Sequence, residues 1–268
     1  MTSAEDEILR RHAAEIARLA GHATLVELGS GTSTKTRHLL AAWSRRSADA
    51  TYVPVDICPS VLDAACAELR RDFPGLRVHG IAASYEQALA EVGALSPLTL
   101  AFLGSSIGNF DDAELDDFLA RVAAALADGD HFLLGIDLVK APSVLEAAYD
   151  DAAGVTREFT RNLFGRMNRE LGTSLDLDAI EHVARYSVER EQIEIFARFA
   201  RDAVIALPEL GRAFAIRAGE ELHTEISRKF RPDAIAVTLA RHGMIELRRF
   251  LDGGGRFAVL LLRRARPA

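Results

Sequence analysis

Apolar positions along the first half of the chain fall into two alternating patterns. Ile8, Leu9, Ala13, Ile16 and Leu19 recur at helical spacing and predict an amphipathic helix over residues 4–20. A continuous apolar run at 24–28 follows, and helical periodicity returns at 33–43. The exchange then repeats: strand 51–55, helix 60–71, strand 76–82, helix 85–92, strand 98–103, helix 112–126 and strand 131–136. Short apolar runs alternating with helices at this pace predict an α/β fold whose parallel sheet is covered on both faces.

After Asp137 the rhythm breaks. Residues 143–171 read as helices parted by Asp150-Asp151 and Gly154, and 183–228 hold strand-like runs (Gln192–Phe196, Ala203–Leu207) broken by Pro208 and Gly211. A helix at 231–242 then leads to Ile245–Leu251, the Gly253-Gly-Gly turn and Arg256–Leu262. Two closing strands joined by a tight glycine turn predict an antiparallel hairpin at a sheet edge. Five βα units followed by such a hairpin resemble the Rossmann-like, seven-stranded sheet of class I methyltransferases. On that reading 1–140 and 229–268 form the core, and 141–228 is an inserted substrate-binding subdomain walling a pocket above the strand ends.

The chemistry starts at the first strand. Thr24-Leu-Val-Glu-Leu28 runs into Gly29-Ser-Gly31 and a Ser/Thr-rich stretch, and Tyr52-Val-Pro-Val-Asp56 ends a second strand on a carboxylate. Glycines let backbone approach a ligand closely, and a carboxylate at the second strand tip can accept from both ribose hydroxyls. Gly-x-Gly without a third glycine suits a nucleoside lacking pyrophosphate, such as S-adenosylmethionine; a plain βα turn is the alternative. Gly104, Gly108 and Asn109 follow the strand 98–103, also at a carboxyl end where ligands bind.

Composition narrows the partners. The 268 residues are 49% hydrophobic and carry a net charge of −7, which speaks against a nucleic-acid partner. No apolar run approaches the roughly 20 residues that span a bilayer, and the acidic N-terminus lacks the pattern of a signal peptide. A cytoplasmic protein is expected. Cys58 and Cys66 suggest neither a disulfide framework nor a zinc site, and the eight histidines form no metal pair. Asp111-Asp112 and Asp116-Asp117 read as the acidic start of a helix. Arg263, Arg264 and Arg266 read as a solvated basic tail.

Long strings make the resemblance more specific. They are Leu25-Val-Glu-Leu-Gly-Ser-Gly-Thr-Ser33 with Lys35-Thr-Arg37, Ala101-Phe-Leu-Gly-Ser-Ser-Ile-Gly-Asn109 and Leu134-Gly-Ile-Asp-Leu-Val-Lys140. Ala148-Tyr-Asp-Asp-Ala-Ala-Gly-Val-Thr156, Asn168-Arg-Glu-Leu171 and Ala218-Gly-Glu-Glu-Leu-His-Thr-Glu-Ile-Ser-Arg-Lys-Phe230 follow. From about residue 5 to 262 the chain resembles the L-histidine Nα-methyltransferases of ergothioneine biosynthesis. The resemblance implies that Gly29, Gly31, Lys35, Asp56, Ser84, Tyr85 and Gly104 line the S-adenosylmethionine site. It implies that Asn109 and Tyr149 hold the amino and carboxylate groups of an amino acid, and that Glu225 and Ser227 face its imidazole. It names no catalytic base and no metal. Each residue also has a plainer reading: a turn for Asn109, core packing for Tyr149, a solvated edge for Glu225.

Three departures stand out. Where the family carries an acid before an aromatic to read the adenine amino group, this chain has Ala83-Ser84-Tyr85, leaving Ser84 a weaker role. Ile195 stands where relatives have Met beside the imidazole. The chain also starts where the family's N-terminal segment of several tens of residues ends, and that segment closes over both substrates. The corresponding expectations are a homo-oligomer or a partner chain supplying that lid, a more open pocket, or a different substrate. The expected activity is S-adenosylmethionine-dependent N-methylation of a free amino acid, L-histidine first. The alternatives are a tryptophan-like amino acid or amine, or a methyltransferase-like subunit that needs a partner for activity.

Overall fold

The computed structural model describes residues 2–21, 23–150 and 154–265. His22, Arg266 and the Asp151–Ala153 part of the Tyr149-Asp-Asp string lie outside them. The chain divides into two units, residues 1–139 with 230–268, and residues 140–229.

The first unit opens with α1 (Thr2–Ala20), β1 (Thr24–Leu28), α2 (Arg37–Arg46), β2 (Thr51–Asp56) and α3 (Pro59–Asp72). The short strands β3 (Arg77–Val78) and β4 (Ile81–Ala82) follow, then α4 (Tyr85–Glu91), β5 (Leu98–Phe102), α5 (Asp112–Ala125) and β6 (His131–Asp137). Two expectations need correcting. The helix expected at 33–43 starts only at Arg37, because Ser33 takes a left-handed conformation (φ 52°) and the following Thr-Lys-Thr stays in turns. The strand expected at 76–82 is split in two, and both pieces pair with β2. Gly80 lies in the gap, so close to α3 that a Cβ there would come within 2.9 Å of the Cys66 sulfur.

The second unit contains α6 (Pro142–Tyr149) and α7 (Val155–Glu170), followed by β7 (Ile180–Ser187) and β8 (Gln192–Phe199). The hairpin strands β9 (Ala203–Leu207) and β10 (Arg212–Ile216) come next, then β11 (Glu221–Arg228). Strands β11, β8 and β7 form one antiparallel sheet in that order, and β9 pairs with β10. Phe164, Leu175, Ile180, Phe199, Ile205 and Ile216 fill one core; Leu145, Tyr149, Ile193 and Ile195 fill another.

The first unit closes with α8 (Pro232–Arg241), β12 (Met244–Leu251) and β13 (Phe257–Arg264). Its sheet runs β12-β13-β6-β5-β1-β2-β3, seven strand positions with β13 antiparallel to both neighbours and the rest parallel. Side chains alternate between faces along each strand. Val26, Leu28, Val53, Val55, Leu100 and Phe102 pack with residues of α4, α5 and α8 on one face. Leu25, Tyr52, Ala101 and Leu133 pack with residues of α1, α2 and α3 on the other. This two-sided burial explains why the strands read as continuous apolar runs. The carboxyl ends of β1, β2 and β5 lie side by side along one sheet edge, because the three strands are parallel neighbours. Among the described residues no helix is long and apolar enough to cross a membrane.

Candidate active site

The turn after β1 is built from left-handed backbone: Gly29 (φ 66°), Gly31 (φ 51°) and Ser33 (φ 52°). Asp56 at the tip of β2 fixes it. Its Oδ2 accepts from the Gly31 amide at 2.9 Å, and its Oδ1 accepts from Cys58 N–H at 2.9 Å. A carboxylate has about four lone-pair sites. Asp56 therefore keeps acceptor capacity on both oxygens and is only half-buried. Ile57, immediately after it, is 77% exposed, an apolar surface beside a ligand-ready carboxylate. Tyr85 comes from the start of α4. Its hydroxyl lies where a Cβ on Gly29 would approach to 2.8 Å, and its ring meets Phe102 edge-on at 5.2 Å. Burial first, then the Asp56 charge, raises the Tyr85 pKa.

A second layer supports this turn. Glu27 shares a strand face with Leu25 and is buried. Its carboxyl accepts from Thr36 Oγ1 at 2.7 Å and from the Tyr52 hydroxyl, which in turn pairs with Ser33 Oγ at 2.9 Å. Burial pushes the Glu27 pKa up to about 7, against the lowering effect of those hydrogen bonds. Nothing in the sequence pattern marks Glu5 of α1, because an acid near a helix start reads as surface. Here it is fully buried; Oε1 accepts from Gly104 N–H at 2.7 Å and Oε2 from the Lys35 ammonium. Lys35 and Gly104 are thereby tied to one carboxylate.

Backbone strain recurs after β5, where Gly104 (φ 79°) is followed by Ser105 (φ 61°), whose hydroxyl accepts from Asp137 N–H at 2.9 Å. Non-glycine residues in this region carry strain that surrounding structure must hold, and they cluster at functional sites. Asn109 ends the short 3₁₀ turn Ser106–Asn109 and is exposed, with no side-chain hydrogen bond among the described residues. Ser84 differs from the other residues expected at the cofactor. Its hydroxyl caps α4 by accepting from Gln87 N–H and donates to Glu86 at 2.7 Å, so its one hydrogen is engaged locally.

In the second unit, Glu225, Ser227 and Lys229 alternate along one face of β11 and its continuation. A bulge between His223 and Glu225 shifts the register against β8 and sets Glu225 opposite Ile195. Bulges re-aim side chains in this way. Tyr149, at the end of α6, reaches the same face. Its hydroxyl lies 2.7 Å from Ser227 Oγ, and Lys229 donates to both oxygens, at 2.9 Å to Tyr149 and 2.7 Å to Ser227. All three side chains are buried. Glu225 is exposed at its surface, yet enough protein surrounds it for desolvation to raise its pKa, with Lys229 and His182 pulling the other way. His182 bridges the Tyr149 carbonyl and Thr160 Oγ1, each at 2.8 Å, which anchors the end of α6. Lys229 lies outside the candidate residues read from sequence. The period-two spacing of Glu225, Ser227 and Lys229 in a strand-like run is the signal that points to it.

Geometry thus gathers Gly29, Gly31, Asp56 and Tyr85 at one point, and joins Lys35 to Gly104 through Glu5. In the other unit it joins Tyr149, Ser227 and Lys229, with Glu225 on the same strand face. The first group fits a nucleoside: a carboxylate with acceptor sites left over, beside a turn whose Gly31 has nothing within 4 Å of where a Cβ would project.

Comparison with known proteins agrees. The family described as histidine-specific methyltransferase, SAM-dependent, matches residues 1–264. The chain is 42% identical over 262 residues to the histidine N-alpha-methyltransferase of Mycolicibacterium smegmatis, covering 97% of this chain and 81% of that protein. The Mycobacterium tuberculosis histidine N-alpha-methyltransferase is 40% identical over 260 residues, again 97% and 81% of the two chains. Among solved structures, the CcbJ methyltransferase of Streptomyces caelestis superposes with a TM-score of 0.52 at 14% identity, covering 96% of this chain and 95% of that one. That likeness is one of fold.

Proposed function

We propose, given that this chain belongs to the family of histidine-specific, S-adenosylmethionine-dependent methyltransferases, that it methylates the α-amino nitrogen of L-histidine. The observation that carries the reading beyond family membership is the face of β11. An acid, a hydroxyl and a buried ammonium alternate there beside the Tyr149 hydroxyl. An imidazole needs one acceptor for its N–H and one donor for its other nitrogen. Glu225 suits the first and Ser227 the second.

S-adenosylmethionine, when bound, supplies an electrophilic sulfonium methyl group. The chain's own residues do the rest. Asp56 accepts from the ribose hydroxyls, and the backbone of Gly29 and Gly31 admits the nucleoside. Tyr85 and Gly104 line it, and Lys35 is held ready by Glu5. Asn109 offers both donor and acceptor to the α-amine and orients its lone pair. Tyr149, its hydroxyl engaged with Ser227 and Lys229, holds the ring-recognising hydroxyl in place. An α-amine has a pKa near 8 in peptides, and desolvation lowers it further, so orientation and dryness replace a dedicated base. Residues 140–229 are the substrate-recognising part of this scheme, and 1–139 with 230–268 the cofactor-binding part. Ser84 contributes through its helix cap. A tryptophan-like substrate is not favoured, since an indole offers no acceptor nitrogen to Ser227.

The ergothioneine route is the metabolic setting of this proposal. A cytoplasmic location accompanies it and is supported by Cys58 and Cys66, both free thiols. Mass spectrometry of products, with purified chain, S-adenosylmethionine and a panel of free amino acids, tests the activity. Methylation of the histidine α-nitrogen is expected. Methylation of other amino acids with histidine untouched would refute it.

A further inference from the structure

Ser227 Oγ receives two hydrogen-bond partners from its own unit, Lys229 Nζ at 2.7 Å and the Tyr149 hydroxyl at 2.7 Å. Lys229 also donates to Tyr149 Oη at 2.9 Å, and its Nζ lies 4.7 Å from the centre of the Tyr149 ring. The three polar atoms form a closed triangle, buried on all three residues.

An ammonium offers hydrogens and no lone pair. Both oxygens must therefore turn a lone pair toward Lys229 and point their own hydrogens elsewhere. One hydrogen lies between the two oxygens. Either oxygen could donate it; the phenol is the stronger acid, which favours Tyr149 as donor and Ser227 as acceptor. Ser227 has two lone pairs. Lys229 takes one and Tyr149 takes the other, and no third hydrogen bond to Ser227 occurs among the described residues.

We infer that Lys229 is a positioning and specificity-determining residue: it saturates Ser227 as an acceptor and leaves that hydroxyl able only to donate. A ligand group meeting Ser227 must then bring a lone pair. A neutral imidazole nitrogen satisfies this. A protonated imidazole, an indole N–H or a bare hydrocarbon ring does not. Glu225, two strand positions away on the same face (about 7 Å), can only accept when ionised, having no hydrogen of its own to donate. The pair therefore demands one ring N–H and one ring lone pair together, the signature of an unprotonated imidazole. This inference rests on the reading of the β11 face as the ring-recognition site and adds the residue that fixes its polarity. Without Lys229, Ser227 could rotate and accept, and the site would tolerate N–H donors.

Titration calorimetry on S-adenosylhomocysteine-loaded protein, with L-histidine and L-tryptophan as ligands, tests it. Lys229→Met should weaken histidine binding at least about tenfold while leaving tryptophan unchanged or tighter. Lys229→Gln can turn its amide oxygen toward Ser227 and should lose discrimination in the same direction, which keeps the test open if the Met variant misfolds. Lys229→Arg remains donor-only and should keep most of the histidine preference. A purely structural lysine would weaken both ligands alike in the Met and Gln variants, and that outcome overturns the inference. So does an unchanged histidine preference in them. Wild-type protein that binds tryptophan but no histidine would instead sink the imidazole reading itself.

Discussion

Tyr149 and Ser227, 78 residues apart in sequence, hold their hydroxyl oxygens 2.7 Å apart in the second unit. One comes from the end of a helix and the other from a strand, so the contact depends on how α6 is docked. His182 contributes to that docking through its 2.8 Å bond to the Tyr149 carbonyl. Removing the Tyr149 hydroxyl takes an acceptor from buried Lys229 and a donor from Ser227. Tyr149→Phe should lower stability by roughly 1–3 kcal/mol, because buried polar groups are left under-satisfied. It should also raise the KM for histidine. Urea unfolding that matches wild type would show that this contact carries no weight.

Asp56 is the clearest link between sequence and cofactor. With Asp56→Ala, S-adenosylhomocysteine should bind at least about tenfold more weakly, since hydrogen bonds to a charged acceptor are each worth roughly 1.5–3 kcal/mol. Loss of the 2.9 Å Gly31 bond loosens the turn as well. Calorimetry with an unaffected dissociation constant would count against nucleoside binding at this strand tip.

Gly29 combines a left-handed φ of 66° with a Tyr85 hydroxyl 2.8 Å from any added Cβ. Gly29→Ala should reduce cofactor affinity and melting temperature together, with backbone strain of about 1–2 kcal/mol. Tyr85→Phe should relieve part of the damage in that background, because it removes the atom that clashes. Additive effects of the two changes in a double-mutant cycle would mean the residues do not touch.

Glu27 carries a pH-dependent cost. Its folded pKa is about 7 against an ordinary value of 4.5. The folded state thus holds a proton that the unfolded state gives up between those values. The Glu27 contribution to stability is greatest below pH about 4.5 and falls as pH rises toward 7, by an order of 3 kcal/mol at most. Glu27→Gln should flatten that fall. Denaturant titrations at pH 5 and pH 8 would contradict this if variant and wild type changed by the same amount.

Much of the core was legible because its physics is local. Buried parallel strands give the apolar runs of β1, β2, β5 and β6, and capping residues mark α5, where Asp111 and Glu114 form a reciprocal cap. The cap at Ser84 and Gln87 carries the same readable signature, and with Glu86 it engages the Ser84 hydrogen locally. The delayed start of α2 was not legible, since helical periodicity continues through Ser33 while its φ does not. Glu5 could not be found by pattern at all. Its partners lie 30 and 99 residues away, and only tertiary packing turns a helix-surface acid into a buried anchor. Lys229 lies between these cases: its strand face is readable, but its triangle with Tyr149 and Ser227 needs three dimensions.

The central claim is that this chain methylates the histidine α-amine and recognises the ring through Glu225. Steady-state kcat/KM for L-histidine and L-tryptophan, in wild type and Glu225→Ala, tests it most directly. Wild type should turn over histidine, and Glu225→Ala should lose about ten- to a hundredfold on it, equivalent to roughly 1.5–3 kcal/mol, while tryptophan is spared. Equal losses on both substrates, or a wild-type protein inactive on histidine, would contradict the claim.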